Sequence, residues 1–393
     1  MILCRINFLK HKVLFSVICF YFTCACTNKE NIATSQLKDI LSLYPDYQIR
    51  PILANYKFNQ YQWGDSDTRN SSTLTLLWFS DIHGNSENLR RITRFYDYYK
   101  EYIDDVLSTG DQIMHEFGNS DFDFWEENGA GHFLKIMGNH DCALSLSPFV
   151  PISPYLAYER YYKPFSNNDG EFIGENKCYW YKDYTFAKSS ECPGGIRLIG
   201  IDQYHWKESE WSSITVYPDE AQIDKGQQEK WLNDLLNDAI EKKMAVIIGI
   251  HSPSNDLECL PINCSFDTLD RINNRDYQSL RNDVLEDVQS FIDRGGEFIC
   301  WLGGHTHQDW FTQLLNYPNQ IQIVVGTASY NMTWRDCEMV YNSKYMDRFN
   351  IISIDSEKKY IRMFRIGVDH DRHGRHIGSI VYDYKNKVLI SNQ

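Results

Sequence analysis

Basic charge is what this sequence is shortest of. Its 39 lysines and arginines face 53 aspartates and glutamates, a formal charge of −14. The first 25 residues hold Arg5, Lys10 and Lys12 and no acid, so removing them as a leader would carry the charge to −17. A surface that acidic repels bulk DNA and RNA unless metal ions or a local basic patch intervene, so nucleic acid is not expected as a partner. An apolar run long enough to span a bilayer is missing too: the leading stretch, Val13–Phe22, falls well short of the roughly 20 residues required. No internal repeat and no low-complexity tract is visible, which removes repeat architectures. Nor do the cysteines close into pairs. Of the 11, seven lie beyond the leader and Cys26, an odd number, so at least one of these thiols stays free or pairs between molecules.

What is there begins with that leader. A basic region, the apolar Val13–Phe22 and the small residues Thr23-Cys24-Ala25 ahead of Cys26 follow in the order of a secretory signal over residues 1–25. The segment also resembles a bacterial lipobox, with Thr23 where leucine is usual, and the resemblance makes Cys26 the residue that carries lipid after cleavage. The expectation is an exported protein anchored through Cys26 to a bacterial cell-envelope membrane, at its periplasmic or outer face. Simple cleavage to a soluble exported protein is the alternative. Export makes Cys259–Cys264 and Cys178–Cys192 the disulfides to test, whereas Cys300, in the apolar run FICWL, reads as core. Residues 26–72 read as a polar tether and N-terminal extension, with a short helix over Ser35–Leu43. Aromatics are plentiful, with 26 Tyr, 21 Phe and 10 Trp, and large buried rings explain them better than a sugar- or lipid-facing surface.

From Leu74 the pattern turns to α/β. LTLLWF is a buried strand that runs into Ser-Asp-Ile-His-Gly-Asn, where Asp81 and His83 sit two residues apart. Ser86 can cap a helix whose apolar positions Leu89, Ile92, Phe95, Tyr99 and Ile103 repeat every three or four residues. Asp105–Ser108 and Phe133–Met137 are strands that end in Thr109-Gly110-Asp111 and Gly138-Asn139-His140-Asp141. Residues 142–195 are irregular and aromatic, with one hairpin strand over Tyr179–Phe186, and read as an insertion over the site. Ile196–Ile201, Ala245–Ile250 and Phe298–Leu302 are further strands, with helices over Gln227–Lys242 and Asn282–Arg294. The last two of these strands run into His251 and into Gly303-Gly304-His305-Thr306-His307. Ile321–Val325, Phe349–Ile354 and Tyr360–Ile366 are expected to complete a second sheet, and residues 368–393 to form a C-terminal hairpin or tail.

Sites in open α/β sheets form at the carboxyl ends of strands, where such loops converge. Collected in order, the strand-end residues are Asp81-x-His83, Gly110-Asp111, Gly138-Asn139-His140-Asp141, His251 and Gly304-His305-x-His307. Carboxylate oxygens, imidazole nitrogens and one amide oxygen suit borderline divalent metals such as Mn, Fe or Zn better than Ca or Mg. Each group alone is an ordinary turn, but five in order, each after a predicted strand, form a specific signal. The series resembles the signature of the calcineurin-like metallophosphoesterase superfamily, over Leu74–Ile366. The resemblance implies an α/β fold over residues 73–367, a two-sheet β-sandwich flanked by helices with its site at the strand carboxyl ends. It implies two divalent metal ions (Mn, Fe or Zn), the first on Asp81, His83, Asp111 and His307 and the second on Asp111, Asn139, His251 and His305. It further implies hydrolysis of a phosphomonoester or phosphodiester, on a small molecule or a lipid head group, by a hydroxide shared between the metals, with His140 protonating the leaving oxygen. Some members extend the Gly-Asp motif with a second Asp or a Tyr; Met114 stands there instead, so orienting His140 falls to Asp141 or another residue.

Two other functions compete. A catalytically inactive adaptor on the same scaffold would usually have lost ligands, and all seven are present. A metal-dependent nuclease is opposed by the acidic charge. Elsewhere, the Asp369–His376 tract reads as a polar hairpin loop rather than a metal site, and His115 and His205 as surface or structural histidines. Asn255, Asp256, Tyr330 and Asn331 follow ligand-bearing strands and could touch substrate.

Overall fold

Seven consecutive uncharged residues, TLTLLWF, make the strand on which the architecture is built. In the computed structural model, Thr73–Phe79 (β1) is buried along its whole length, as a strand covered on both faces must be. The structure describes residues 43–44, 49–53, 72–112, 133–142, 171–172, 178–203, 228–254, 257–259, 282–307, 309–329, 347–368 and 379–392. The expectations for residues 1–25, for Cys26 and for Met114, His115, His205, Asn255, Asp256, Cys264, Tyr330, Asn331 and the Asp369–His376 tract fall outside these residues. The chain divides into two compact units, Met1–Pro45 and Asp46–Gln393, and the strands and helices named here belong to the second. Among the described residues no helix is long and apolar enough to cross a membrane.

In chain order the strands after β1 are Asp105–Ser108 (β2), Leu134–Lys135 (β3), Glu171–Phe172 (β4), Trp180–Tyr184 (β5), Gly195–Gly200 (β6) and Met244–Gly249 (β7). They continue as Leu257–Cys259 (β8), Glu297–Gly303 (β9), Trp310–Leu314 (β10), Ile321–Val324 (β11), Arg348–Asp355 (β12), Tyr360–Gly367 (β13), Ser379–Asp383 (β14) and Val388–Asn392 (β15). The helices are Ser86–Tyr99 (α1), the single turn Asn139–Cys142 (α2), Gln228–Lys242 (α3) and Asn282–Asp293 (α4). One sheet has the order β15-β14-β13-β12-β1-β2-β3 and the other β4-β5-β6-β7-β9-β11-β10-β8. Both mix parallel and antiparallel neighbours, and helices flank them. This is the α/β two-sheet arrangement that the sequence implied.

The assignment of the late strands needs correcting. β11 joins the second sheet, in parallel with β9, but β12 and β13 join the first, where β12 lies antiparallel to β1 with Leu76 opposite Ile352. The helix cap also differs. Asn85, not Ser86, caps α1, its side-chain oxygen accepting from the Asn88 N–H at 3.1 Å. The apolar stripe of α1 is buried as expected, with Phe95 edge-on to Phe349 of β12 at 5.1 Å.

One apolar cluster lies between the second sheet and two helices. Leu232, Leu235, Leu236 and Ala239 of α3 meet Val284, Leu285, Val288 and Phe291 of α4 over Val246 and Ile248 of β7. The spacing of these residues is the three-to-four residue repeat of a buried helical face. Leu236 is fully buried, so Leu236→Ala should lower the unfolding free energy by about 2–5 kcal/mol, measured by urea denaturation.

At the end of β9 remote from its ligands the two sheets are clasped. The Glu297 carboxylate accepts from Lys359 Nζ at 2.6 and 2.7 Å, from the Tyr384 hydroxyl at 2.8 Å and from the Cys192 thiol at 3.1 Å. Cys192 is therefore a thiol, and the expected Cys178–Cys192 disulfide is not formed. Burial and the Glu297 charge push that thiol up to about 12 and hold the Tyr384 phenol well above its ordinary value. Burial opposes a charge on Lys359, but Glu297 outweighs it and raises this group too. All three groups titrate higher folded than unfolded. Each thus contributes in full below its unfolded pKa, and the contribution is lost as pH rises toward the folded value. Stability should decline from about pH 9, the ordinary thiol value, upward. Urea midpoints at a series of alkaline pH values check this, and Cys192→Ser should make the earliest part of the decline shallower, the buried Cys300 thiol supplying the rest.

Candidate metal centre

Every strand-end residue named from the sequence and present among the described residues converges on one place. Asp81 and His83 follow β1, Asp111 follows β2, Asn139 and His140 open α2 just after β3, His251 follows β7, and His305 and His307 follow β9. Three of these strands belong to one sheet and two to the other, so the centre sits where the carboxyl ends of both sheets meet.

The backbone turns sharply to aim these side chains. Asp81, His83, Asp111, His305 and His307 all take positive φ, between 49° and 68°, a left-handed conformation that non-glycine residues seldom adopt and that gathers at functional sites. The first two loops hold each other: Asp81 N–H donates to Gly110 O at 2.9 Å, His83 N–H to Asp111 O at 2.9 Å and Gly84 N–H to Gln112 O at 2.8 Å. Two glycines are obligatory. A Cβ on Gly110, at φ 107°, would lie 2.2 Å from His251 Nδ1, and one on Gly304 would lie 1.8 Å from Ser80 Oγ.

The donors form two groups that share Asp111. Asp81, His83, Asp111 and His307 offer ligand atoms within 4.8 Å of one another, and so do Asp111, His251 and His305. His83 Nε2 and His307 Nε2 are 2.9 Å apart. Asn139 Oδ1 completes the second group, 3.0 Å from both His251 Nε2 and His305 Nδ1. Lone pairs from four imidazoles, two carboxylates and an amide thus face a common centre, from buried side chains except at the half-buried His305 and His307. This donor set fits two borderline divalent metals. His251 turns its other nitrogen, Nδ1, to the Thr109 carbonyl at 2.7 Å, the outward hydrogen bond that fixes a ligating imidazole.

The protonation states agree with that fit in all but one place. Burial alone would raise Asp81, but the hydrogen bond and charge of His307 and the charge of His251 bring it down to about 2. Burial opposes ionisation of Asp111 as well, yet the charges of His251 and His140 hold it well below the usual carboxylate range. Burial together with the charge of His307 pushes His83 down to about 3, and burial with the charge of His251 does the same for His305. These groups stand ready as anions and neutral imidazoles. His251 is the exception: burial would lower it, but the charge and hydrogen bond of Asp111 raise it to about 9, so coordination there must expel a proton.

His140 and Asp141 divide their tasks. The His140 N–H donates to Asp111 Oδ1 at 2.8 Å, its Nε2 lies 3.9 Å from Asp111 Oδ2, and its ring stands edge-on to His83 with centroids 4.8 Å apart. Its side chain remains partly exposed at the rim. Asp141, one of the residues open to the role of orienting His140, holds two backbone groups: its Oδ1 accepts from Gln112 N–H and its Oδ2 from Gly138 N–H, both at 2.8 Å. The carboxylate clamps the loop of Asp111 to the loop of Asn139. Sequence reasoning missed Gln203, whose buried Oε1 accepts from the N–H groups of His251 and Ser252 at 2.8 Å. Its only signal was its place directly after a predicted strand end.

Comparison with known proteins follows the same lines. Residues 74–309 match the calcineurin-like phosphoesterase family. No curated protein matches the chain. Among solved structures, the chain is similar to a dimetal phosphatase from Danio rerio at 14% identity, covering 76% of this chain and 97% of that one, with a TM-score of 0.48. It is similar to the purple acid phosphatase PPD1 of yellow lupin at 15% identity, covering 79% of this chain and 53% of that one, with a TM-score of 0.44. It is similar also to GAP50, the anchor in the inner membrane complex of Plasmodium, at 12% identity, covering 82% and 90%, with a TM-score of 0.39.

Proposed function

The chain belongs to the calcineurin-like phosphoesterase family, and from that premise we propose that it hydrolyses a phosphomonoester or phosphodiester with the help of two divalent metal ions. One observation carries the reading: two largely buried donor groups that share Asp111, with His140 on their rim. Asp81, His83, Asp111 and His307 would hold one ion, and Asp111, Asn139, His251 and His305 the other. Bound there, such ions supply Lewis acidity toward phosphoryl oxygens and make a water molecule acidic enough to attack phosphorus near neutral pH. The protein's own residues do the rest. Asp111 would screen the mutual repulsion of two such cations, and it fixes the His140 backbone. His140 holds a proton at Nε2 and gives it to the departing oxygen, since Nδ1 is turned into the protein. Asp141 and Gln203 keep the loops of Asp111, Asn139 and His251 at their working separation.

Mn-, Fe- or Zn-loaded protein should hydrolyse p-nitrophenyl phosphate, bis-p-nitrophenyl phosphate or another member of a phosphoester panel, with metal content measured alongside. Binding of two ions with no hydrolysis of any ester would favour the adaptor function instead. The substrate class we propose is a small phosphoester or a lipid head group, because the acidic surface disfavours polyanions. The leader supports export with lipid on Cys26. Cys26→Ser should then move the protein from the membrane fraction to the soluble fraction and abolish labelling by an alkyne fatty acid; unchanged fractionation would refute the anchor.

A further inference from the structure

Resting on the dinuclear reading, we infer that the loop Gly326–Ser329, locked by Asp309 and Arg348, positions the first ligand group directly and the second only at one remove. Thr327 is the centre of the loop. Its hydroxyl donates to the Asp81 carbonyl at 2.7 Å, and the Ala328 N–H donates to the Ser80 carbonyl at 2.9 Å. Asn85 Nδ2 donates to Ser329 Oγ at 3.2 Å, and the Ser329 N–H to Thr327 Oγ1 at 3.1 Å. The turn that carries Asp81 and His83 is thus stitched to this loop at both of its ends.

The same loop is tied to the turn of His307. The Gly326 N–H donates to Asp309 Oδ1 at 2.9 Å, and Arg365 grips that same oxygen. Arg348 holds Asp309 Oδ2 through Nε, at 3.1 Å, and through Nη2, while its Nη1 donates to the His307 carbonyl at 3.4 Å. The guanidinium lies flat on Gly326, where an added Cβ would fall 2.2 Å from its Cζ. Thr327, Ser329 and Arg348 are all at most 2% exposed. A planar fork is required to hold two carboxylate contacts and a carbonyl at once, which a lysine cannot do. Asp81, His83 and His307 are the ligands of the first group that do not bridge, and this network holds the turns of all three. The second group rests mostly on other partners: Gln203 for His251, Asp141 for the Asn139 loop, and Thr109 for the His251 ring. His305 is tied to the first group, its N–H donating to Asp81 Oδ2 at 2.9 Å.

The test separates the two positions. In a His251→Ala background the first position remains, and in a His83→Ala background the second. Arg348→Lys and, as an isosteric variant that keeps the packing, Thr327→Val are placed in each background. Mn2+ affinity is then measured by calorimetry, with far-UV circular dichroism as the folding check. Both variants should weaken Mn2+ binding about 10–100-fold in the His251→Ala background and much less in the His83→Ala background. Equal weakening in both backgrounds, or none in the first, would overturn the inference while leaving the dinuclear reading intact. Failure of the unmutated chain to bind Mn2+ would overturn that reading and this inference with it.

Discussion

Asp111→Ala is expected to empty both metal positions and to reduce turnover to background. The residue belongs to each donor group, so its loss removes one anion from both at once. It is also the carboxylate that two like-charged ions would share, and without it their repulsion is met only by Asp81. A third contribution is geometric, because Asp111 Oδ1 accepts the His140 N–H. Asp111→Asn separates these roles: the amide keeps an acceptor oxygen for His140 and loses the charge. It should retain the fold and still lose at least one ion. Metal content by mass spectrometry after gel filtration, set beside turnover, checks both variants. Wild-type metal content in Asp111→Ala would sink the assignment of the shared ligand.

His140→Ala should behave in the opposite way, keeping both ions and losing turnover by about 10²–10⁴-fold. The side chain stands at the rim next to the donors without belonging to either group. An alkoxide is a poor leaving group and needs a proton as it departs, whereas p-nitrophenolate departs readily without one. The loss should therefore be larger for an alkyl phosphoester than for p-nitrophenyl phosphate. Equal losses for the two esters would assign His140 to phosphate contact, and normal turnover would remove it from the mechanism.

Much of this was legible in the sequence, because each ligand directly follows an apolar run and the runs fold into strands. Asp105–Ser108 is a strand with the bounds the sequence suggested, and Ala245–Ile250 differs from β7 by one residue at each end. Pairing was less legible. β12 is buried at all eight of its positions, so its pattern reads the same against either sheet, and only the register with β1 decides its place. Capping was misread by one residue because Asn85 and Ser86 have similar capping chemistry. The supports of the centre were the least visible. Gln203, Asp309 and Thr327 are common polar residues whose roles depend on contacts with segments remote in the chain, Thr327 reaching Asp81 across 246 positions.

That the donors come from both sheets also sets an order on the life of the chain. Asp81 and the His305 backbone, bonded in the finished protein, are 224 residues apart in sequence. Closing so long a span comes late in folding, because its entropy is lost before the contact returns anything. Neither donor group can assemble until the second sheet has docked on the first. Metal uptake there would accordingly report on folding as well: a chain stalled halfway, or clipped between the sheets, offers only part of each donor set. A chelator, by the same logic, withdraws free energy from the native state alone.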